Sequence, residues 1–254
     1  MTDLATTGRS LPSPFAAVLA YTLRACLPAK RWFGVLLPCV GALLFGWLTV
    51  ALDGPSQQQD FADIAELGLF ALILPLTCLV IGDAVLGADV RAGTFQLTWL
   101  SPVPFRTIVL GRWLGGWLVA LVTLVPALAI AALFGGVSDA AGSMALAGLF
   151  GSGAYIALFM MLGVVTRRSA LWSLAVVLVG EWLLGANLSG VAQFSPRWEA
   201  QQVFAGLWDH GALLEREGMP LGWSAVVRLV VVGAVCLLVA TWRLGHMRPV
   251  GVAD

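Results

Sequence analysis

Two charged side chains stand inside apolar runs, and they are the first candidates for chemistry. Glu181 lies well within the run from Ser169 to Ser189, and Arg228 lies about a turn and a half into the run from Trp223 to Trp242. If these runs cross a bilayer, Glu181 is about twelve residues beyond Arg167 and Arg168, which at ~1.5 Å per residue places it ~18 Å deep. A charge at that depth is costly and is usually paired or functional. Three readings follow: a structural pair with Arg228, a role in a substrate pathway or gate, or a protonated Glu181 held by local hydrogen bonds. Arg228 could reach down to Glu181 or snorkel outward.

Other reactive types are few. The chain has one lysine, Lys30, in the context Leu27-Pro28-Ala29-Lys30-Arg31. A phosphate loop of the form G-x-x-x-x-G-K-[ST] is therefore excluded, and with it ATP hydrolysis by that route. His210 and His246 are expected on opposite faces of the membrane, where they cannot share a metal. Gly151-Ser152-Gly153 has a serine within an apolar helix, but no histidine lies at membrane depth to act as its base. Small residues in such a helix serve close helix approach. An intramembrane hydrolase needs a nucleophile with a base, or a paired acid and base, and only Glu181 is on hand. Cys26, Cys39, Cys78 and Cys236 are scattered through apolar stretches, without the spacing of a disulfide or zinc framework. We expect no catalytic site, no metal and no bound cofactor in this chain.

The elements that hold these residues follow from composition. Of 254 residues, 59% are hydrophobic and 11% charged, and the mean hydropathy is +0.92. A soluble domain carries roughly 25% charged residues, so this surface calls for lipid. A net charge of zero lacks the basic field that nucleic acid attracts, so a nucleic-acid partner is not expected.

Charge-free runs mark where ~20 apolar residues can cross a hydrocarbon core. Six spans are expected: Trp32 to Leu52, about Ile64 to Leu86, Trp113 to Ser138, Ala140 to Thr166, Ser169 to Ser189, and Trp223 to Trp242. The backbone must bond internally in lipid, so each should be a helix. With the N-terminus inside, eleven basic residues fall on the cytoplasmic side and two, Arg197 and Arg216, on the other. The positive-inside rule then puts both termini in the cytoplasm of a multi-pass cell-membrane protein. Residues 1–31 form a cytoplasmic lead, 32–242 the transmembrane domain, and 243–254 a cytoplasmic tail. The first apolar run is too long for a signal-peptide core and should stay as an anchor.

Two stretches outside the spans are patterned. Phe15, Val18, Leu19, Thr22, Leu23 and Cys26 repeat at helical spacing, as an interfacial helix would, or as a continuation of the first span past Pro28. In the outer segment 190–222, Ser195 and Pro196 offer an N-cap and a first-turn proline, Glu199 suits the positive helix end, and Gly211 ends the run. Ala200, Val203, Phe204, Leu207 and Trp208 form one apolar face, so a short amphipathic helix on the outer surface is expected.

The cytoplasmic segment 87–104 reads Gly-Ala-Asp-Val-Arg-Ala-Gly-Thr-Phe-Gln-Leu-Thr-Trp-Leu-Ser-Pro-Val-Pro. Val90, Leu97 and Leu100 favour a short helix, which Pro102 and Pro104 stop. The order acidic (Asp89), basic (Arg91), Gly93-Thr94, a leucine-rich turn at Leu97, then Ser-Pro-Val ending at Pro102 and Val103 resembles the permease subunits of type 2 ABC transporters. The resemblance extends to the interfacial N-terminal helix, the six spans, the cytoplasmic termini and a partly helical outer segment. The family commonly has Glu where Asp89 stands. The resemblance implies an all-α integral membrane protein whose segment Asp89 to Pro102 is a coupling helix docked on a separate ABC ATPase subunit. It further implies a homodimer, or a pair with a similar permease, and ATP and Mg on the ATPase alone. The competing reading is a non-transporting polytopic protein, a sensor or assembly factor, for which six spans would also serve.

Overall fold

The computed structural model describes residues 13–26, 32–52, 54, 56–87, 89, 102–166 and 168–246. Among them there are helices and no strands. The elements are α1 (Pro14–Cys26), α2 (Trp32–Ala51), α3 (Gln57–Gly87), α4 (Phe105–Phe134), α5 (Ala140–Val165), α6 (Ser169–Leu184, continued by Gly185–Asn187), α7 (Pro196–Leu207) and α8 (Trp223–His246). Four of them, α3, α4, α5 and α8, are long and apolar enough to cross a membrane; α1, α2 from Leu36 onward, and α6 are shorter apolar helices. Their outward faces carry large apolar side chains, among them Trp47, Val122, Trp172, Leu183, Val227, Leu238 and Trp242. An apolar rim of this extent has no place in water and suits lipid.

The second apolar run is longer than its charge-free stretch. Helix α3 begins at Gln57, seven residues before Ile64, where Ser56 caps it by accepting from the Gln59 amide. Asp60 does not end it, because its carboxylate turns back to the Gly54 amide at 3.2 Å. Two π-helical stretches, Ala65–Ile73 and Asp83–Gly87, interrupt the α geometry. The first runs up to Pro75, which lacks an amide hydrogen and cannot bond four residues back, and a wider turn accommodates that loss. Small residues let neighbouring helices close up. A Cβ at Gly111 or Gly115 of α4 would meet Val18 at 3.0 Å or Thr22 at 2.8 Å, which seats α1 against α4, and one at Gly68 would meet Phe45 at 2.6 Å, which brings α2 against α3.

The bundle has two polar ends. At one, Gln57 Nε2 donates to the Gly135 carbonyl at 2.9 Å and Trp208 Nε1 to Asp139 at 2.8 Å. The indole N–H is the main reason the Asp139 carboxyl lies below its ordinary range. At the other end, Arg112 meets Asp89, and Ser169 donates to Asp83 at 3.4 Å.

Helix α7 corrects an expectation. It does begin at Ser195 and Pro196, with Ser195 accepting from the Trp198 amide. However, it ends at Leu207, before Gly211, and it does not lie on a surface. Every residue from Pro196 to Ala205 is buried, including Arg197, Glu199, Gln201 and Gln202. The helix is inserted among α3, α5 and α8. Phe204 meets Phe61 and Phe70 of α3 at centroid separations of 6.3 and 5.7 Å, and a Cβ at Gly151 of α5 would sit 2.9 Å from the Ala200 methyl. The sequence pattern showed one apolar face; the polar face is covered as well, by the rest of the bundle.

Candidate functional site

Two constellations hold the residues singled out from sequence. The first is where α3 ends. Arg112, on α4, is buried and donates through Nη1 to Asp89 Oδ2 and to the Val85 carbonyl, both at 2.7 Å. The second contact uses a carbonyl near the C-terminal end of α3, where orphan carbonyls favour a cation. Tyr21 of α1 donates to Asp89 at 3.2 Å, and its ring lies 5.4 Å from the guanidinium carbon of Arg112. Burial is the leading reason why the Tyr21 hydroxyl is raised above its usual pKa, with the Asp89 charge second. Asp89 thus fastens α1, α3 and α4 at one point. Pro102 is exposed and precedes α4. Arg91, Gly93, Thr94 and Leu97 lie outside the described residues.

The second constellation surrounds Glu181. It lies in a π-helical stretch, Val176–Leu184, and is 2% exposed. Its carboxylate accepts from Tyr155 Oη of α5 at 2.6 Å and from Ser195 Oγ at 2.9 Å, and Trp198 Nε1 donates to its backbone carbonyl at 3.2 Å. Glu181 therefore sits at the N-terminus of α7, where unpaired amides favour a negative group. The carbonyl that takes the indole N–H thus lies within a π-helical stretch, a geometry frequent at functional positions.

The pairing of Glu181 with Arg228 is corrected. Arg228 Nη1 lies 3.6 Å from Glu199 Oε1, and the partners of Glu181 come from α5 and the cap of α7. The reason is geometric. Insertion of α7 puts Glu199 between α8 and the rest of the core, so Arg228 meets that carboxylate first. Two hydroxyls, of Tyr155 and Ser195, donate to Glu181, and Arg228 lies nearest Glu199.

Near Glu181 the buried Arg197 guanidinium lies 4.5 Å from the Trp198 ring centroid and 5.5 Å from that of Trp182. Arg216 covers Trp198 at 4.3 Å. Desolvation, the larger effect, lowers the pKa of Arg197, while Tyr155 and Glu181 act against it.

The remaining candidates are accounted for singly. Ser152 donates to the Leu149 carbonyl of its own helix at 3.1 Å. His210 Nδ1 is 3.5 Å from Asp139, and His246 Nδ1 is 2.8 Å from the Trp242 carbonyl. Among the described residues no three His, Cys, Asp or Glu side chains gather as metal ligands do. Sequence reasoning missed Tyr155, Arg112 and Tyr21 as site residues. Only Arg112 gave a signal, as a cation at the border of an apolar run. Compared with known proteins, the chain matches no family model, and no curated protein matches it.

Proposed function

We propose that this chain is the membrane-embedded permease subunit of an ATP-driven ABC exporter, in which α2 and α6 cross the bilayer beside α3, α4, α5 and α8. Both termini and the segment 87–104 face the cytoplasm, where that segment grips a separate ATPase subunit. The chain works as a homodimer or with a similar permease, and ATP and Mg bind the ATPase.

One observation supports this reading above the sequence motif: the fastening of Asp89. Nucleotide binding drives transport only if its free energy reaches an element with two arrangements. A segment that began on a loose tether would absorb a displacement. Here the residue at its start is clamped by a buried arginine of α4 and a tyrosine of α1. A push on the segment would load three helices together.

The test is co-purification. Gly93→Trp, which blocks close approach of another backbone, and Arg91→Glu should each remove a bound ATPase and transport while the permease stays folded in the membrane. Retained ATPase and normal transport in both variants would favour the sensor or assembly-factor reading.

A further inference from the structure

Glu199 stands out among the polar groups of α7. Its side chain is 0% exposed, and neither carboxylate oxygen has a hydrogen-bond donor among the described residues. A buried carboxylate normally collects two or three donors, because each missing bond leaves desolvation uncompensated. Glu181, at the head of the same helix, has such donors.

Few of the charged and titratable groups on the surrounding elements act on α7. From α8 comes Arg228, whose side chain is 43% exposed and whose Nη1 approaches to 3.6 Å, short of hydrogen-bond distance. From α5 comes Tyr155, already bonded to Glu181. From α3 comes Glu66, whose charge acts on Arg197, and Arg197 of α7 is itself stacked on tryptophans. The segment after α7 supplies Arg216, stacked on Trp198. Among the described residues Arg228 alone offers Glu199 a cation within 4 Å, and its own side chain is 43% exposed. The seat of α7 therefore disfavours a carboxylate more than a neutral carboxylic acid.

We propose that Glu199 binds a proton from the water at the Asp139 end of the bundle, and that this proton holds α7 in its inserted position. When Glu199 ionises, the balance moves toward arrangements in which the carboxylate is hydrated and α7 is lifted from its seat. The direction agrees with the acidity of the group: burial, opposed by Arg228, pushes its carboxyl up to about 7. A hydrated glutamate titrates at ~4.3. The inserted form thus holds its proton more tightly, and its advantage is fully present below the ordinary pKa and is lost as pH rises through the raised one. With these two values, the ratio of inserted to lifted helix falls about tenfold between about pH 6 and about pH 8.5. This inference does not depend on the transport reading.

The experiment is hydrogen exchange on the full chain in detergent micelles, with times scaled for the pH dependence of intrinsic exchange. Peptides covering 196–208 should lose protection by about tenfold between about pH 6 and about pH 8.5, while those from α5 change little. In Glu199→Gln, a neutral mimic of the protonated acid, α7 should stay protected at both values. In Arg228→Gln the loss should move to higher pH, because the one nearby cation is gone. If Glu199→Gln fails to fold, the wild type and Arg228→Gln decide. Exchange that is the same at both pH values in the wild type, or a pH dependence unchanged in either variant, would overturn the proposal.

Discussion

Replacing Glu181 by alanine should destabilise the protein through two stranded hydroxyls. Tyr155 is 0% exposed and Ser195 is 6% exposed, so neither can turn to bulk water when its acceptor is removed. A buried donor left unpaired costs about 1–3 kcal/mol, which gives about 2–6 kcal/mol for the two. Part is returned, because the variant no longer buries a carboxylate whose own desolvation is unfavourable. The expected net loss is about 2–3 kcal/mol, or a fall of roughly 4–12 °C in melting temperature for a chain of this size. Glu181→Gln keeps one acceptor oxygen and should lose less. Tyr155→Phe alone should cost about 1–2 kcal/mol. The double variant Glu181→Ala, Tyr155→Phe should cost at least 1 kcal/mol less than the sum, since each removes what the other strands. By contrast, Glu181→Ala and Arg228→Ala should simply add, because the two charges have different partners. The assay is the fraction of monodisperse protein that survives heating in detergent. Additive losses for the Glu181 and Tyr155 pair, to within ~0.5 kcal/mol, would refute the reasoning, and so would strong coupling of Glu181 to Arg228.

The remaining predictions are structural. Arg112→Gln strips Asp89 of a charge-assisted bond and the Val85 carbonyl of its donor, and should cost about 2–4 kcal/mol; Asp89→Asn, which keeps one acceptor oxygen, should cost less in the same heating assay. Gly206→Ala should leave little folded protein, as its Cβ would run into the backbone amide of Gly222, whereas Gly142→Ala, with open space around its Cβ, should match the wild type in yield and melting temperature.

The apolar runs were legible because the rule behind them is local: lipid excludes unpaired charge, so charge-free stretches become helices. That rule fails where a charge is satisfied by something distant in sequence. Arg112 seemed to border the run that starts at Trp113, yet α4 begins at Phe105. The arginine is neutralised by Asp89, 23 positions earlier, so it can sit buried within the helix. Ser195 and Pro196 announced the start of α7 correctly, since a cap is read from neighbours alone. The burial of that helix was not legible. A helix that mixes Arg197, Glu199, Gln201 and Gln202 with its apolar residues looks the same whether its polar groups meet water or the interior of a bundle. Only the tertiary arrangement tells them apart. The same limit explains the mistaken partner for Glu181: depth was estimated along each helix, but the helix that comes between Glu181 and Arg228 belongs to the segment assigned to the surface.

Helix α3 touches both the Asp89 clasp and the aromatic face of α7. Near its first turn and middle, Phe61 and Phe70 pack on Phe204, and Phe61 meets Trp208 at 6.1 Å between centroids. Just past its last turn, Asp89 is clasped by Arg112 and Tyr21. Its two π-helical stretches fall beside these contacts, Ala65–Ile73 amid the aromatic cluster and Asp83–Gly87 next to the clasp. A wider turn holds its backbone bonds less well than α geometry and is a frequent site of adjustment. The segment between, Leu74–Gly82, is regular α-helix with Pro75 in its first turn. The regular middle lies between the Asp89 clasp and the seat of α7. A displacement entering at Asp89 would therefore meet α7 through aromatic contacts on the same helix. Its outcome there would depend on whether α7 is held by a neutral Glu199 or loosened by a charged one.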